Sequence, residues 1–221
     1  MKGRLDEQTM ALRVAKEFED GMVVNLGIGI PTLATNFIPE DKEIIFHTEN
    51  GCLGWGTVAA SEEEEDFNLV NASGQFVSRQ PGMSFFDHAE SFSMIRGKHI
   101  DLCVLGGLQV SEKGDLANWT LSEKKLGGMG GAMDLAIGAA YLIIAMTHTT
   151  KDDKPKILKQ CTFPLTAPRC VSLIITDLAV IEVTEEGLVL KEIAPGWSVA
   201  EVQELTEPKL IVAPDLHEVE L

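Results

Sequence analysis

Hydrophobic positions change their period several times along the chain, and each change predicts an element. Met10, Val14 and Phe18 recur four apart, which places them on one face of a helix closing near Gly21. MVVNLGIGIPT at 22–32 then reads as a short buried strand, a glycine turn and a helix start, with Pro31 favoured in the first turn. That helix runs through TLATNFI and stops before Pro39. EIIFHT at 43–48 is the next strand. FFDHAESFSMIRG at 85–97 predicts a helix with Phe85, Phe86, Ala89, Phe92 and Ile95 on a mainly apolar side. IDLCVLGG at 100–107 predicts a strand running into paired glycines. GGMGGAMDLAIGA at 127–139 predicts a glycine loop feeding a helix, followed by the strand YLIIAMT. Late strands are expected within SLIITDLAVIEV and in GLVLKEI, with a short helix at SVAEVQELT.

Apolar strands alternating with helical segments predict an α/β fold with a largely parallel sheet flanked by helices. No internal repeat or low-complexity linker divides the chain, so a single domain over 1–221 is expected. In such sheets ligands bind outside the carboxyl ends of the strands. Three turns leave predicted strands through glycine: Gly27/Gly29, Gly51/Gly54/Gly56 and Gly106/Gly107, and the loop at 127–131 adds a fourth cluster. Glycine lets bare backbone approach a ligand, although each turn alone is also ordinary punctuation.

Composition narrows the chemistry. The net charge of −16 argues against nucleic acid and anionic membrane surfaces as partners. Much of the excess sits in Glu62-Glu63-Glu64-Glu65-Asp66, which reads as a solvated loop. Four separated cysteines and no C-x-x-C suggest neither zinc nor a disulfide framework, and a cytoplasmic location is expected. The charged, amphipathic start does not fit a signal peptide, and the apolar run from Leu135 to Met146 is too short to span a bilayer. GIGIPT has Thr32 where a dinucleotide fingerprint needs a third small residue, and no P-loop or G-x-S-x-G occurs. The five histidines are scattered, so no metal site is expected; His47, two before Glu49, reads as packing or hydrogen bonding.

Glu49 is the residue this pattern leaves without an explanation, since it follows a predicted buried strand and precedes Asn50-Gly51. A glutamate in water has a pKa near 4.3 and needs no base to become a nucleophile. It needs partial loss of water and donors for the charge that develops on the carbonyl it attacks. Backbone N–H groups in glycine turns supply such stabilisation at roughly 2.7–4 kcal/mol per well-placed donor. A plain strand-end surface residue is the competing reading.

NLGIGIPT, ENG, SFSMIRGKHID, GDLANW, GMGGAMDL and CTFPLTA stand together in an order and spacing that resembles the family I CoA-transferases. The resemblance covers roughly residues 10–215 and is to the B (β) subunits of 3-oxoacid CoA-transferases. It takes in the acetoacetate, butyrate–acetoacetate and 3-oxoadipate branches: VSEKGDLANW and TDLAVIEVTEEGL lean toward the 3-oxoadipate branch, and GMGGAMD toward the acetoacetate branch. The resemblance implies the CoA-transferase (NagB/RpiA-like) fold and ping-pong transfer of CoA between an acyl-CoA and a carboxylic acid. It implies no cofactor, coenzyme A being a substrate, and an α subunit as partner.

Residue by residue, the resemblance makes Glu49 the catalytic carboxylate, carrying first an acyl anhydride and then a CoA thioester. Asn25 before the first glycine turn and Gly131 in the glycine loop fall where the family builds its oxyanion-stabilising groups, with Gly27 and Gly29 in the adjoining active-site turn and Gly130 keeping the glycine loop open. Asn50 and Gly51 complete the turn that presents Glu49. Gln109 and Asn118 are candidate pocket residues, and Lys124 and Lys125 candidate partners of the CoA phosphates. Three departures stand out: Thr48 where the family has Ser, Ser122-Glu123-Lys124-Lys125 where it has P-G-K-M or P-G-K-L, and NASG at 71–74 where it has N-A-G-x. A sugar-phosphate isomerase-like or ligand-sensing domain of the same general fold, using Glu49 without covalent chemistry, is the alternative.

Overall fold

Asp6 caps the first helix: its carboxylate accepts the backbone N–H of Thr9 at 2.8 Å, and α1 (Glu7–Ala15) follows. The computed structural model describes residues 3–59, 61–120 and 128–220. After α1 come β1 (Val23–Leu26) and α2 (Ile30–Leu33), the latter extended by a 3-10 turn over Ala34–Phe37. Next are β2 (Ile45–Thr48), β3 (Cys52–Trp55), a 3-10 turn at Glu62–Glu64, β4 (Ser84–Phe85) and α3 (His88–Arg96). β5 (Leu102–Gly106), β6 (Gln109–Ser111) and β7 (Leu116–Ala117) lead to α4 (Ala132–Gly138), β8 (Tyr141–Met146) and β9 (Ile157–Leu158). The chain closes through β10 (Leu173–Thr176), β11 (Ala179–Thr184), β12 (Gly187–Ile193), α5 (Val199–Glu204) and β13 (Leu210–Glu218).

Ten strands form one sheet in the order β13-β12-β11-β10-β8-β5-β1-β2-β3-β4, and β7-β6-β9 form a smaller one. The five central strands from β10 to β2 are parallel. Pairing becomes antiparallel through β11 and β12 on one flank and β3 and β4 on the other, and β13 returns parallel to β12.

Successive side chains of the central strands serve opposite faces. Cys103, Leu105, Leu142 and Ile144 pack with Ile95, Leu135 and Val202 from α3, α4 and α5. Leu102, Val104, Ile143 and Ala145 pack with Ala11, Val14, Phe18 and Ala34 on the other side. Covering both faces is why these strands read as unbroken apolar runs. Each large side chain removed completely from water contributes about 1.5–3 kcal/mol.

Strand order reverses at β1. The chain lays β2 on one side of it and later β5, β8 and β10 on the other, which opens a crevice above the carboxyl ends of β2, β1 and β5.

Several elements depart from the predicted pattern. The helix predicted from residue 85 begins at His88: Phe85 pairs with Cys52 as part of β4 and is 62% exposed, and Asp87 caps α3 by accepting the N–H of Glu90. β3, β4, β6, β7, β9 and β13 have no counterpart among the elements predicted from sequence; the first five are at most four residues long, and Pro214 interrupts the run of β13. The strand lies on the sheet edge, where pairing to β12 jumps from Val212 to His217, and Pro214 falls inside that irregularity. Gly54, read as part of a turn, sits within β3 at φ 74 and is the extra residue opposite the register shift between Phe46 and His47.

Candidate active site

β2 ends at Thr48, which pairs directly with Cys52 of β3, so Glu49, Asn50 and Gly51 are the whole connection. Glu49 therefore stands half-buried at the tip of a hairpin whose base is fixed in the sheet. Gly51 closes the turn by donating its N–H to the Thr48 carbonyl at 3.0 Å. Its φ is +118°, and a Cβ there would collide with the Phe86 carbonyl oxygen. Only glycine fits. The Thr48 hydroxyl donates to Asn50 Oδ1 at 3.0 Å and accepts the Ala72 N–H at 2.8 Å, while Asn50 Nδ2 donates to the Val70 carbonyl at 2.7 Å. The 70–74 loop is thus tied to the Glu49 turn, and Thr in place of Ser at position 48 supplies the hydroxyl this requires.

The glycine loop comes in from α4. Gly130 has φ +56°, a left-handed conformation, and Gly131 directly precedes the helix. A Cβ on Gly131 would stand 3.4 Å from Glu49 Cγ, 3.5 Å from Glu49 Oε1 and 3.2 Å from Phe92 Cζ. The bare backbone of Gly131 therefore borders the carboxylate directly. Both line a cleft of about 520 Å³, with Gly27 after β1, Gly106 and Gly107 after β5, and Ala72 and Ser73 of the tied loop. Among the described residues, no hydrogen bond or ion pair holds the Glu49 carboxylate. Nor does any group of His, Cys, Asp and Glu among them form a metal-binding cluster.

Beneath the hairpin runs a buried polar line. Asn25 Nδ2 lies 3.0 Å from His47 Nδ1 and 3.3 Å from the His47 carbonyl oxygen, and His47 Nε2 lies 3.2 Å from Ser91 Oγ. Asn25, His47 and Ser91 are at most 1% exposed. Burial pulls the His47 imidazole down to about 4, so it is neutral at pH 7. Cys103, buried beside Asn25, has its thiol pushed well up, first by burial and then by the charge of Glu49.

A carboxylate with no partner among the described residues, held beside the bare backbone of Gly131 in a cleft at the strand-order reversal, can act as a nucleophile toward a carbonyl. The coenzyme A transferase family model matches residues 7–205. The chain belongs to the coenzyme A transferase family.

It is 49% identical over 211 residues to the beta subunit of the acetate CoA-transferase of Escherichia coli, covering 96% of each chain. It is 50% identical over 209 residues to the B-type subunit of the 3-oxoadipate CoA-transferase of Pseudomonas putida, covering 94% of this chain and 97% of that one. Human mitochondrial succinyl-CoA:3-ketoacid coenzyme A transferase 2 is 48% identical over 207 residues, but the chain spans only 40% of its length. Among solved structures, the acyl-CoA transferase YdiF of E. coli O157:H7 superposes with TM-score 0.75 at 21% identity; the match covers 99% of this chain and 45% of that one. The decarboxylase AibA/AibB superposes with TM-score 0.72 at 19% identity, over 99% of this chain and 90% of that one. The fold thus serves more than one chemistry, and sequence identity rather than shape selects the transferase family over the isomerase-like alternative.

Within this family member the expected site residues separate. Glu49, Asn25, Gly27, Asn118, Gly130 and Gly131 line one cleft. Asn50 and Gly51 shape the hairpin beneath it, and Gly29, at φ +88°, precedes α2. Gln109 is not among the cleft's lining residues: its amide bonds Thr162 Oγ1 and the backbone N–H groups of Thr162 and Phe163, which makes it a brace. Asn118 bonds the Gly106 carbonyl at 3.1 Å and accepts the Thr166 hydroxyl at 2.6 Å, holding the rim of the cleft. The amide nitrogen of Asn25 faces two atoms of His47, the ring Nδ1 and the backbone carbonyl oxygen. Lys124 and Lys125 lie outside the described residues. Ser91 and Phe92 of α3 also belong to the site, and the serines within a helix predicted as mainly apolar are the only trace of this in the sequence.

Proposed function

We propose that the chain is the catalytic β subunit of a 3-oxoacid CoA-transferase, and that Glu49 carries the transferred groups covalently. A Glu49 oxygen bonds the acyl carbon of an acyl-CoA, the C–S bond breaks, and CoA leaves as thiolate with an acyl-glutamyl anhydride behind it. The thiolate attacks the glutamyl carbonyl, the anhydride C–O bond breaks, and the first acid departs as carboxylate. A glutamyl-CoA thioester remains. A second carboxylate attacks that thioester and the same steps run backwards, releasing the new acyl-CoA and restoring Glu49.

The observation that carries this reading is the Glu49 carboxylate beside Gly131, without a partner among the described residues. The backbone N–H groups of Gly130 and Gly131 are the proposed donors to the developing oxyanion. Relatives named for acetate and for 3-oxoadipate match at 49% and 50%, so a short-chain or 3-oxo acid is the proposed substrate class and identity does not choose within it. The chemistry requires no resident cofactor. Relatives named as one subunit of a transferase, and a human chain more than twice as long, support an α subunit as partner. With a net charge of −16 on this chain, the CoA phosphates are proposed to meet basic groups gathered locally, with Lys124 and Lys125 as candidates, or on that partner.

Replacing Glu49 tests the proposal. Glu49→Ala in the αβ complex is expected to leave assembly intact and lower turnover by about four orders of magnitude or more. Turnover within tenfold of the native rate would remove Glu49 from the mechanism.

A further inference from the structure

The line Asn25–His47–Ser91 takes no part in the steps above, yet it runs directly under them. We infer that His47 is a positioning residue that sets Glu49 against the Gly131 loop through helix α3, an inference that rests on Glu49 being the nucleophile.

The proton on the ring can be placed from geometry. Asn25 Nδ2 reaches both His47 Nδ1 and the His47 carbonyl oxygen. A carbonyl oxygen only accepts, so Asn25 presents its NH2 group here and Nδ1 accepts as well. The single ring hydrogen therefore lies on Nε2 and points at Ser91 Oγ, 3.2 Å away. The ring also stacks on Phe86, with centroids 6.0 Å apart and planes 14° from parallel. One neutral imidazole thus joins β1, β2, the segment before α3, and α3 itself.

Both sides of the reaction zone bear on that joint. Phe86 packs against the turn glycine on the hairpin side: its N–H donates to the Gly51 carbonyl at 3.1 Å, and its own carbonyl excludes any side chain at position 51. Phe92, the residue after Ser91, touches the Gly131 position on the loop side. The segment running from Phe86 into α3 is the common support of the Glu49 turn and the loop, and His47 is its hydrogen-bonded connection to β2, the strand that leads into Glu49. The same geometry makes Asn25 a support of His47 rather than a free oxyanion donor.

The test uses the αβ complex with native chain, His47→Leu, His47→Gln and Ser91→Ala. It reads CoA affinity, melting temperature and the rate at which CoA becomes covalently attached after mixing with acyl-CoA. His47→Leu is expected to slow attachment by about tenfold to a hundredfold, the cost of displacing reacting groups by a fraction of an ångström to 1 Å. CoA affinity should stay within about threefold. His47→Gln, whose amide restores a donor toward Ser91, is expected to recover most of the rate, and Ser91→Ala to fall between. A native attachment rate in His47→Leu would overturn the inference. So would a loss that tracks melting temperature alone and is not recovered in His47→Gln. Should His47→Leu fail to fold, a native rate in Ser91→Ala overturns it equally. A Glu49→Ala control that still acquires CoA would instead defeat the underlying reading, so the two failures are distinct.

Discussion

Two histidines are buried in this molecule, His47 and His148, and they look alike until one follows what each is attached to. Both rings are hydrogen-bonded at both nitrogens: His47 to Asn25 and Ser91, His148 to Thr176 and Thr206 at 2.9 Å each. Burial is the main cause that pulls each down to about 4. The His148 line ends in structure. Its backbone N–H donates to Asp177 at 2.6 Å, Asp177 pairs with Arg4 at 2.9 Å, and Thr206 bonds back to the Val202 carbonyl of α5. No member of that set lines the cleft. The His47 line ends two residues from Glu49. A buried titratable group is therefore not a site by itself; the element it holds in place decides what its loss costs.

The sharpest way to break this comparison is at the boundary of the site. Gly131→Ala keeps an ordinary φ of −81°, and its Cβ would meet Phe92 at 3.2 Å, so stability should change by no more than about 1 kcal/mol. Turnover should fall by about a hundredfold, because the methyl fills the space beside the carboxylate. Gly51→Ala sets the opposite pattern: a positive φ and a collision with the Phe86 carbonyl should cost roughly 3 kcal/mol in chemical denaturation. Equal stability losses in the two variants would refute the assignment of one glycine to the site and the other to its scaffold.

On the structural side, His148→Gln should lower unfolding free energy by about 1–3 kcal/mol while turnover per folded complex stays unchanged. A loss of turnover at constant stability would erase the contrast with His47.

The smallest effect is on acid sensitivity. Both histidines have folded values below the ordinary 6.5, so the unfolded chain binds more protons between pH 6.5 and about 4. Their stabilisation is complete above pH 6.5 and is lost as pH falls toward 4, about 3 kcal/mol for each ring at most. Groups facing His148 act in both directions, Asp177 favouring its charged form and Arg4 and Lys156 opposing it. Urea midpoints across pH 7.5 to 5 should therefore fall less steeply in His148→Gln than in the native chain. Parallel curves would mean that His148 titrates alike folded and unfolded.

The parallel centre of the sheet was readable because its strands are covered on both sides and so are apolar throughout, as in Leu102–Leu105 and Leu142–Ala145. The edges were not. β4 is two residues long, and Pro214 hides β13 within an irregularity that only an edge strand tolerates. Glu49 was legible as an unexplained carboxylate before Asn-Gly, and the glycine turns as bare backbone. Their meeting was not, because Gly131 reaches Glu49 from more than eighty positions along the chain. His47 could be read as packing or hydrogen bonding, but its partners Asn25 and Ser91 come from separate elements, which no local pattern joins. Gln109 shows the reverse case: a polar residue beside a glycine turn whose amide is consumed by Thr162 and Phe163.

The central claim is tested most directly by mass spectrometry of the αβ complex after incubation with an acyl-CoA, followed by digestion and sequencing of the peptide spanning residues 44–56. The account predicts that this peptide carries the mass of CoA in thioester linkage at Glu49, and that added carboxylic acid removes it. An active complex whose Glu49 peptide stays unmodified throughout turnover would contradict it.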